Sequence, residues 1–503
     1  MLLRYLIEGI NLNLDEDVIG NIDISINKIE YDSSKIGQSD VFVAVPGFKT
    51  DGHAYIAEAV QNGATGIVVQ RDELEYVKKI CRELPQDICI IVTDDTRKVL
   101  AHIAMRYYDN PAAKLSVIGI TGTKGKTTTA YMIRDILKQS GKKVGLIGTI
   151  YNEYAGIKED ASRTTPESLD LQRILSDMVA KEIQYVVMEV SSHALCLHRV
   201  DGIHFDIGVF TNLSPEHLDF HNTMDEYLEA KAKLFAQSAF SIINADDLYT
   251  PKLLRLVEGK VAKFGLDNKA EVTATDIRIN NDYVDFKMYI NRQLQTIKIS
   301  IPGRYTVYNA LAAIAVTSML NAQMEDILVA LAQIKVPGRS EVVDINKSFA
   351  VIVDYAHTPS SLEAILANTK KYIKGRLICV FGCGGNRDAS KRAEMGKIAG
   401  KYANFTVITT DNPRDEKPEE IASQIESGIK ETRGLHKVIL NRKEAIKFAM
   451  RIAWKNDTIV IAGKGHETYQ ELAKGKKVHF DDREIVKEIA ATMPEKDNVE
   501  LKM

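Results

Sequence analysis

Short apolar runs of β type alternate with amphipathic helical patterns along most of the 503-residue chain. The first such unit has the run VFVAV (41–45), a helical pattern over 55–61 and the run TGIVV. Alternation of this kind is typical of α/β architecture. It predicts a small N-terminal α/β domain, which should end near residue 111 because Pro111 disfavours helix in the residue before it.

A second series of buried runs begins at LSVIGI (115–120) and continues with YVVMEV, DIGVF and SIINA. Residues 270–300 instead alternate apolar and polar positions, which indicates an antiparallel β insertion. After Pro337, the runs VIVDYA, LICVFG, FTVITT and TIVIAG alternate with helical patterns and predict a Rossmann-like, doubly wound domain. We therefore expect three domains, over residues 1–111, 112–336 and 337–503.

Composition narrows the function classes. The net charge of −3 provides no cationic surplus for nucleic acid, and the five scattered cysteines form no disulfide framework. No apolar run is long enough for a transmembrane helix, and the N-terminus lacks a signal-peptide pattern. We expect a cytoplasmic monomer without membrane insertion.

A glycine-rich loop lies between the run at 115–120 and a helical pattern over 127–139. It reads Gly122-Thr123-Lys124-Gly125-Lys126-Thr127, a shortened form of the nucleotide-binding P-loop. Backbone amides would cradle phosphate oxygens, Lys126 would reach the terminal phosphates and Thr127 would face Mg²⁺. The alternative is a plain strand–helix turn, but the combination of strand, loop and helix favours nucleotide binding in a P-loop ATPase-like central domain with a mostly parallel sheet.

Three further residues are candidates for chemistry beside this loop, each with an ordinary alternative. Glu189 ends a buried run and is placed to hold Mg²⁺, or else caps the next helix. His217 is either a metal ligand or a structural histidine. Lys231 lies on the apolar stripe of a helix that opens with the capping-box pattern at Thr223. Burial would lower its pKa and permit modification, whereas a snorkelling lysine would stay charged.

A series of motifs then follows the order found in the Mur ligases, and the chain resembles this family over essentially its whole length. The motifs are GTKGKTTT, SRTTPE, MEVSSHAL, TNLSPEHLDFH, YLEAKAKLF, VYNALAA, VPGRSE, DYAHTP, GCGGNRDASKR, DNPRDEKPEEI and AGKGHETYQ. Among the Mur ligases they are most similar to the UDP-N-acetylmuramoyl-tripeptide synthetases of peptidoglycan (cell wall) synthesis.

The resemblance implies an ATP-dependent amide-bond ligase. ATP would phosphorylate a substrate carboxyl to an acyl phosphate, which the amino group of an incoming amino acid would attack. The expected reaction adds meso-diaminopimelate to UDP-N-acetylmuramoyl-L-alanyl-D-glutamate. Alternatives are the same reaction with L-lysine, a related Mur or folylpolyglutamate-type ligase, or a catalytically silent nucleotide-binding protein. The presence of Lys126, Glu189, His217 and Lys231 disfavours the silent protein.

Site residues follow from the resemblance, position by position. The catalytic set is Lys126, Glu189, His217 and Lys231. The ATP contacts are Gly122, Thr123, Lys124, Gly125, Lys126, Thr127, Thr128, Asn309, Arg339, Asp354 and His357. The UDP-substrate contacts, which begin in the N-terminal domain, are Ser33, Phe48, Lys49, Thr50, Thr164, Thr165, Ser191 and Arg199. The Mg²⁺ ligands are Thr127, Glu189, His217 and Lys231 as a carbamate.

The amino-acid contacts implied for the C-terminal domain are Arg387, Asp411, Asn412, Pro413, Arg414, Gly463 and Glu467. Diaminopimelate carries a second carboxylate that lysine lacks, and the planar, always-charged fork of Arg414 suits it. The alternative is that Arg414 merely pairs with Asp415 or Glu416. Departures from the family pattern at Ser34, Arg163, Leu197, Pro215 and Ala393 concern mainly the muramoyl-peptide contacts.

Overall fold

The computed structural model describes residues 1–48, 50–83, 88–280, 282–290 and 293–494. The chain forms two compact units, Met1–Val272 with Ala312–Asn321, and Thr273–Leu311 with Ala322–Met503. The three domain boundaries expected from the sequence do not coincide with these bounds and stay a prediction.

The first unit begins with a five-stranded sheet in the order β1-β5-β4-β3-β2. Its members are β1 (Val18–Ile19), β2 (Ile29–Glu30), β3 (Asp40–Val43), β4 (Ala64–Gln70) and β5 (Cys89–Thr93). All neighbours are parallel except β1 and β5. The associated helices are α1 (Leu3–Ile7), α2 (Leu14–Asp17), α3 (Ile56–Gln61), α4 (Leu74–Glu83) and α5 (Thr96–Tyr107), with 3-10 turns at Ser33–Lys35, Gly52–Tyr55, Arg71–Glu73 and Pro111–Lys114.

The same unit contains an eight-stranded sheet in the order β13-β12-β11-β6-β10-β7-β8-β9. Its members are β6 (Ser116–Thr121), β7 (Val144–Ile147), β8 (Tyr151–Tyr154), β9 (Ile157–Asp160), β10 (Tyr185–Glu189), β11 (Phe205–Phe210), β12 (Ser238–Asn244) and β13 (Lys260–Phe264). From β13 to β7 all neighbours are parallel, and β8 and β9 add an antiparallel edge. The helices are α6 (Lys126–Gln139), α7 (Ser168–Ala180), α8 (Ser192–Cys196), α9 (Leu218–His221), α10 (Met224–Ala236) and α11 (Thr250–Leu253).

The insertion expected over 270–300 is an antiparallel sheet of β14 (Thr275–Ile279), β15 (Val284–Ile290) and β16 (Gln293–Ile299). The helices α12 (Arg304–Met319) and α13 (Met324–Gln333) follow it in sequence.

The C-terminal sheet has six strands in the order β17-β18-β22-β19-β20-β21. Its members are β17 (Glu341–Val342), β18 (Ala350–Asp354), β19 (Leu377–Phe381), β20 (Phe405–Ile408), β21 (His436–Val438) and β22 (Thr458–Ala462). A hairpin of β23 (Tyr469–Glu471) and β24 (Lys477–His479) follows, with a 3-10 turn at Ala473–Gly475. The helices are α14 (Pro359–Tyr372), α15 (Lys391–Tyr402), α16 (Pro418–Lys430), α17 (Arg442–Ile452) and α18 (Asp482–Thr492).

Successive strand residues in this sheet face different helical layers. Cys379 and Phe381 pack in the cluster that holds α14, α15 and α16, whereas Ile378 and Val380 pack in the cluster that holds α17 and α18. A parallel sheet that is covered on both faces needs apolar residues at every position, which is why the run reads as continuously hydrophobic. The doubly wound prediction and the α/β fold class are therefore confirmed.

No helix within the described residues is long and apolar enough to cross a membrane.

The doubly wound sheet contains an ion pair that is fully buried. The Arg442 guanidinium at the start of α17 donates to both carboxylate oxygens of Asp482 at 2.8 and 2.7 Å, and both side chains have no exposed surface. Arg442 also donates to the carbonyls of Thr410 and Ala462, which follow β20 and end β22. The pair thus ties two strand ends to two helices.

Replacement of Arg442 by alanine should leave the Asp482 carboxylate buried without its partner and destabilise this unit by about 3–5 kcal/mol. Trp454, the one tryptophan of the chain, reports its unfolding by fluorescence in urea. Lys443→Ala is the matched control because it removes an exposed pair with Glu488, which should change stability by less than about 1 kcal/mol. Equal midpoints for the two variants would contradict the role given to Arg442.

Candidate active site

The central parallel strands bring separate loops to one level of the sheet. Glu189 at the end of β10 is aligned with Ile120 of β6, and Phe210 at the end of β11 is aligned with Thr121. The glycine-rich loop, Glu189 and the segment after Phe210 therefore leave the same edge, where ligands of α/β sheets bind.

The glycine-rich loop is held by the segment that follows β11. Gly122 has a φ of +147°, and a Cβ there would overlap the Thr211 hydroxyl, so only glycine fits. The Thr211 hydroxyl and the side-chain amide of Asn212 both donate to the carbonyl of Lys124, at 2.7 and 2.9 Å. The Asn212 side-chain oxygen accepts from the Lys124 amide at 2.9 Å. The loop is thus shaped before a nucleotide arrives.

The start of α6 offers donors for phosphate. Gly125, the residue before the helix, has a φ of +86° and supplies no side-chain cap for its first amides. The Lys126 ammonium donates to the carbonyls of Gly122 and Thr123 at 2.8 and 3.0 Å, so it lies over the loop rather than on the surface. The alternative of a lysine that points away from the loop is therefore wrong, whereas the choice between a phosphate loop and a plain strand–helix turn stays a prediction. Thr128 is buried in the first turn.

Glu189 is a buried acceptor beside this loop. Its Oε2 accepts from the Thr127 hydroxyl at 2.8 Å and from the Thr149 hydroxyl at 3.1 Å, while its Oε1 accepts from the Thr149 amide at 2.8 Å. The helix-capping alternative for Glu189 fails because Ser191 caps α8, accepting from the Ala194 amide. Thr127 and Glu189 together present hard oxygen donors of the kind that Mg²⁺ prefers.

Lys231 lies on the buried face of α10 and is only 1% exposed. Within the described part of the chain its nitrogen makes no hydrogen bond or ion pair, and it lies 4.3 Å from the centre of the Tyr227 ring. Burial, followed by the charge of Lys126, lowers the pKa of Lys231 well below its usual value. The snorkelling alternative is therefore wrong, and burial favours the neutral amine over the ammonium ion.

Tyr227 connects Lys231 to the other predicted groups. Its hydroxyl accepts from the Thr123 hydroxyl at 3.3 Å, and its ring lies 6.3 Å from that of His217. Burial lowers the pKa of His217, which favours the neutral imidazole that binds metals. Among the described residues, no three His, Cys, Asp or Glu side chains converge on a metal position. The ligand set with a carbamate on Lys231 stays a prediction.

Predicted UDP-substrate residues fall into two groups within this unit. The first group adjoins Glu189. The Thr165 hydroxyl donates to the carbonyl of Glu189 at 2.9 Å, and Thr165 accepts from the Ser191 amide at 3.1 Å. The Arg199 guanidinium donates to the carbonyl of Thr165 at 3.2 Å. The Thr164 hydroxyl lies 3.2 Å from that of Thr149, which itself contacts Glu189.

The second group comes from the five-stranded-sheet region. Ser33 is buried and donates to Glu58 at 2.7 Å. Phe48 is 73% exposed, with its ring 6.0 Å from that of Phe220 in α9. Thr50 is exposed and closes the turn by accepting from the Gly47 amide. Lys49 lies outside the described residues.

One departure from the family pattern has a visible partner. Arg163 donates to Glu167 at 2.7 Å, and the same carboxylate also pairs with Arg199 at 2.8 Å and Arg97 at 3.3 Å. Glu167 is buried, so it anchors three guanidinium groups at the edge of the first group.

The remaining predicted ATP contacts belong to the second unit. Asn309 is buried in α12. Asp354 ends β18 and accepts from the amides of Ser340 and Ala356 at 2.7 and 2.8 Å. The Arg339 guanidinium lies 4.7 Å from the centre of the Tyr355 ring, and the His357 ring is 4.6 Å from the same ring. Arg339 and His357 thus both contact the Tyr355 ring, with the His357 ring edge-on, and form one cluster beside Asp354.

All the predicted amino-acid contacts except Pro413 line one cavity of about 260 Å³ in this unit. Its walls carry charges of both signs: Arg387, Lys391 and Arg414 are cationic, and Asp411 and Glu467 are anionic. Pro413 lies in the same loop, between Asn412 and Arg414.

Partners inside the protein fix the charged groups of this cavity. The Oε2 atom of Glu467 accepts from the side-chain amide of Asn412 and from the ammonium of the fully buried Lys464, both at 2.9 Å. Arg414 pairs with Glu471 at 2.8 Å. The alternative that Arg414 pairs with Asp415 or Glu416 is therefore wrong; Glu416 pairs with Arg392 instead.

Sequence reasoning missed several residues that shape the two sites, namely Thr149, Asn212, Tyr227, Lys464 and Glu471. Asn212, Lys464 and Tyr227 lie within quoted motifs, so the motif itself was the available signal. Thr149 and Glu471 carry no local signal.

Three family models match the chain. The Mur ligase family catalytic domain matches residues 25–108, the Mur ligase middle domain matches 120–317, and the Mur ligase glutamate ligase domain matches 338–465. The chain belongs to the Mur ligase family.

Named relatives of this Mur ligase are similar over nearly its whole length. The UDP-N-acetylmuramoyl-L-alanyl-D-glutamate--2,6-diaminopimelate ligase of Caldanaerobacter subterraneus subsp. tengcongensis is 46% identical, covering 98% of this chain and 99% of the relative. The ligase of the same name from Clostridium perfringens is 44% identical, covering 97% and 99%. A solved structure of a ligase of that name has a TM-score of 0.68 at 28% identity, covering 98% of this chain and 99% of its own.

The position of Lys126 in this Mur ligase generates a test. Lys126→Ala should lower ATP-dependent turnover by at least about 100-fold, because it removes the charge over the phosphate loop without disturbing a packed apolar side chain. Phosphate release and circular dichroism measure turnover and folding.

Lys138→Ala is the matched control on the same helix, since Lys138 pairs with Glu153 at the surface. Near-normal turnover of Lys126→Ala would refute the phosphate-loop assignment.

Proposed function

We propose that this Mur ligase adds meso-diaminopimelate to UDP-N-acetylmuramoyl-L-alanyl-D-glutamate at the expense of ATP. The observation that supports this most directly is the cavity lined by Arg414, Arg387 and Glu467 together. Diaminopimelate carries two carboxylates and two ammonium groups, so it needs cationic and anionic walls in one site. The relatives that bear this name support the same conclusion.

In the proposed reaction, the glycine-rich loop and the start of α6 hold the phosphates of ATP, with Lys126 over the loop. The substrate carboxylate attacks the terminal phosphorus, ADP leaves, and an acyl phosphate forms. The free amine of diaminopimelate then attacks the acyl carbon, inorganic phosphate leaves, and the amine loses a proton. Phosphoryl transfer of this kind depends on positioning and charge rather than on a protein nucleophile.

Mg²⁺ fits the donor set beside the loop. The Thr127 hydroxyl and Glu189 carboxylate supply oxygens, His217 supplies a neutral imidazole, and a carbamate on Lys231 would supply a further oxygen. The ion would neutralise phosphate charge during transfer.

Carbamylation of Lys231 is part of the proposal. A neutral lysine amine attacks CO₂, forms an N–C bond and releases a proton, which leaves a carbamate anion. The burial of Lys231, the lowered pKa and the absence of an acceptor for its nitrogen among the described residues all favour this reaction. The modification replaces a costly buried cation by a group that serves the metal.

Lys231→Ala should lower turnover by at least about 100-fold, because it removes the carbamate and its share of charge stabilisation. A short carboxylic acid that enters the vacated space should restore part of the activity. Carbon-13 NMR of wild-type protein in labelled bicarbonate should show one carbamate signal that the variant lacks.

Lys233→Ala is the matched control, since Lys233 lies on the exposed face of the same helix. Active wild-type protein with no carbamate signal would refute the modification.

Amino-acid choice provides the decisive assay. With ATP, Mg²⁺ and the UDP-dipeptide, wild-type protein should prefer meso-diaminopimelate to L-lysine by roughly 10⁴-fold in kcat/KM, because lysine leaves Arg414 without a carboxylate. Arg414→Ala should raise the KM for diaminopimelate sharply and leave the KM for ATP nearly unchanged.

Arg433→Ala, an exposed arginine of the same unit, is the control. Equal efficiency of wild-type protein with L-lysine would overturn the choice of amino acid, and release of phosphate without the UDP-substrate would overturn the ligase reaction.

A further inference from the structure

The hairpin of β23 and β24 is attached to the loop that carries Arg414. The Gln470 side chain donates to the carbonyl of Asp411 at 2.7 Å, and the Glu471 amide donates to the Asn412 side-chain oxygen at 2.9 Å. The Arg414 amide in turn donates to the Glu471 carbonyl at 3.1 Å. Asp411, Asn412 and Arg414 of the loop are therefore held by two residues of the hairpin.

Glu471 holds Arg414 twice, through the main chain and through its carboxylate, which accepts from Nε at 2.8 Å. Arg414 has a φ of +50°, a left-handed conformation that non-glycine residues adopt only when their surroundings enforce it. The two contacts with Glu471 hold Arg414 in this conformation. Without it, both the backbone and the guanidinium of Arg414 would gain alternative conformations.

The contacts of Arg414 leave one end of its fork for a ligand. Glu471 occupies Nε, and the carbonyl of Gly385 accepts from Nη1 at 2.8 Å. In the described part of the chain, Nη2 makes no hydrogen bond with the protein. Arg414 lines the amino-acid cavity, so its orientation decides where a carboxylate of the ligand is received.

We propose that Glu471 is a positioning residue that sets the preference for diaminopimelate by fixing Arg414. This inference rests on the proposed function, because it concerns how the second carboxylate is selected. Both side chains are partly exposed, at 20% and 24%, and pairs of this kind add little to folding stability. The pair therefore maintains the shape of the cavity rather than the stability of the fold.

The test compares Glu471→Ala and Glu471→Gln with wild-type protein in the ligation assay. Glu471→Ala should raise the KM for diaminopimelate about 10- to 100-fold, as loss of an orienting partner does elsewhere, and lower the preference over L-lysine by the same factor. The kcat and the KM for ATP should change by less than about 3-fold if phosphoryl transfer is untouched. Glu471→Gln keeps an acceptor for Nε and should lose less.

A double-mutant cycle separates positioning from a general structural role. In the Arg414→Ala background, Glu471→Ala should cause no further rise in the KM for diaminopimelate, because it acts through Arg414. Glu484→Gln is the matched control, because Glu484 at the start of α18 pairs at the surface with His479 of the hairpin. Thermal unfolding verifies that each variant is folded.

The inference is overturned if Glu471→Ala leaves the KM for diaminopimelate unchanged, or if its effect adds in full to that of Arg414→Ala. A wild-type protein without a preference for diaminopimelate overturns both this inference and the proposed function. A wild-type preference that survives in Glu471→Ala and Glu471→Gln overturns the positioning role alone.

Discussion

Three neighbouring parallel strands that end at one level are the constraint on which the nucleotide end of the site depends. β6 lies between β10 and β11, and the last residues of these two neighbours are aligned with Ile120 and Thr121 at the end of β6. Both faces of these strands are buried, so a slip of one residue would turn every side chain to the opposite face of the sheet. Core packing remote from the chemistry therefore fixes where the glycine-rich loop, Glu189 and the segment at Thr211 meet.

Hydrogen bonds at this edge of the sheet hold the groups that the strand register brings together. The Thr211 hydroxyl donates to the Lys124 carbonyl, and the Asn212 side-chain oxygen accepts from the Lys124 amide. Thr149 donates to Glu189 through both its amide and its hydroxyl. Donors and acceptors that are already oriented need no reorganisation when charge develops on a phosphate. The loop is consequently rigid in shape although its sequence is rich in glycine, since positive φ angles at Gly122 and Gly125 are held by these contacts.

Local patterns in the sequence predicted what local physics decides. Thr223 does cap α10, with its hydroxyl accepting from the Glu226 amide, and the apolar stripe of α10 does bury Lys231. The Glu226 carboxylate accepts from the Asn222 side chain instead of the Thr223 amide, so only half of the expected capping box forms. Partners chosen by tertiary packing escaped prediction. Arg414 is adjacent in sequence to two acids, yet its left-handed backbone lies against the hairpin and its partner is Glu471. Tyr227 meets Thr123 across more than a hundred residues, a pairing that no periodicity encodes.

Two buried lysines show that environment decides the role of a side chain. Lys464 is fully buried, but its ammonium donates to Asn412 and Glu467, so its charge is paired and it serves to hold Glu467. Lys231 is equally buried and faces an aromatic ring without an acceptor among the described residues. An unpaired buried cation is too costly to persist, and the lysine is driven towards its neutral form. The first arrangement suits orientation of a substrate group, and the second suits chemistry at the amine itself.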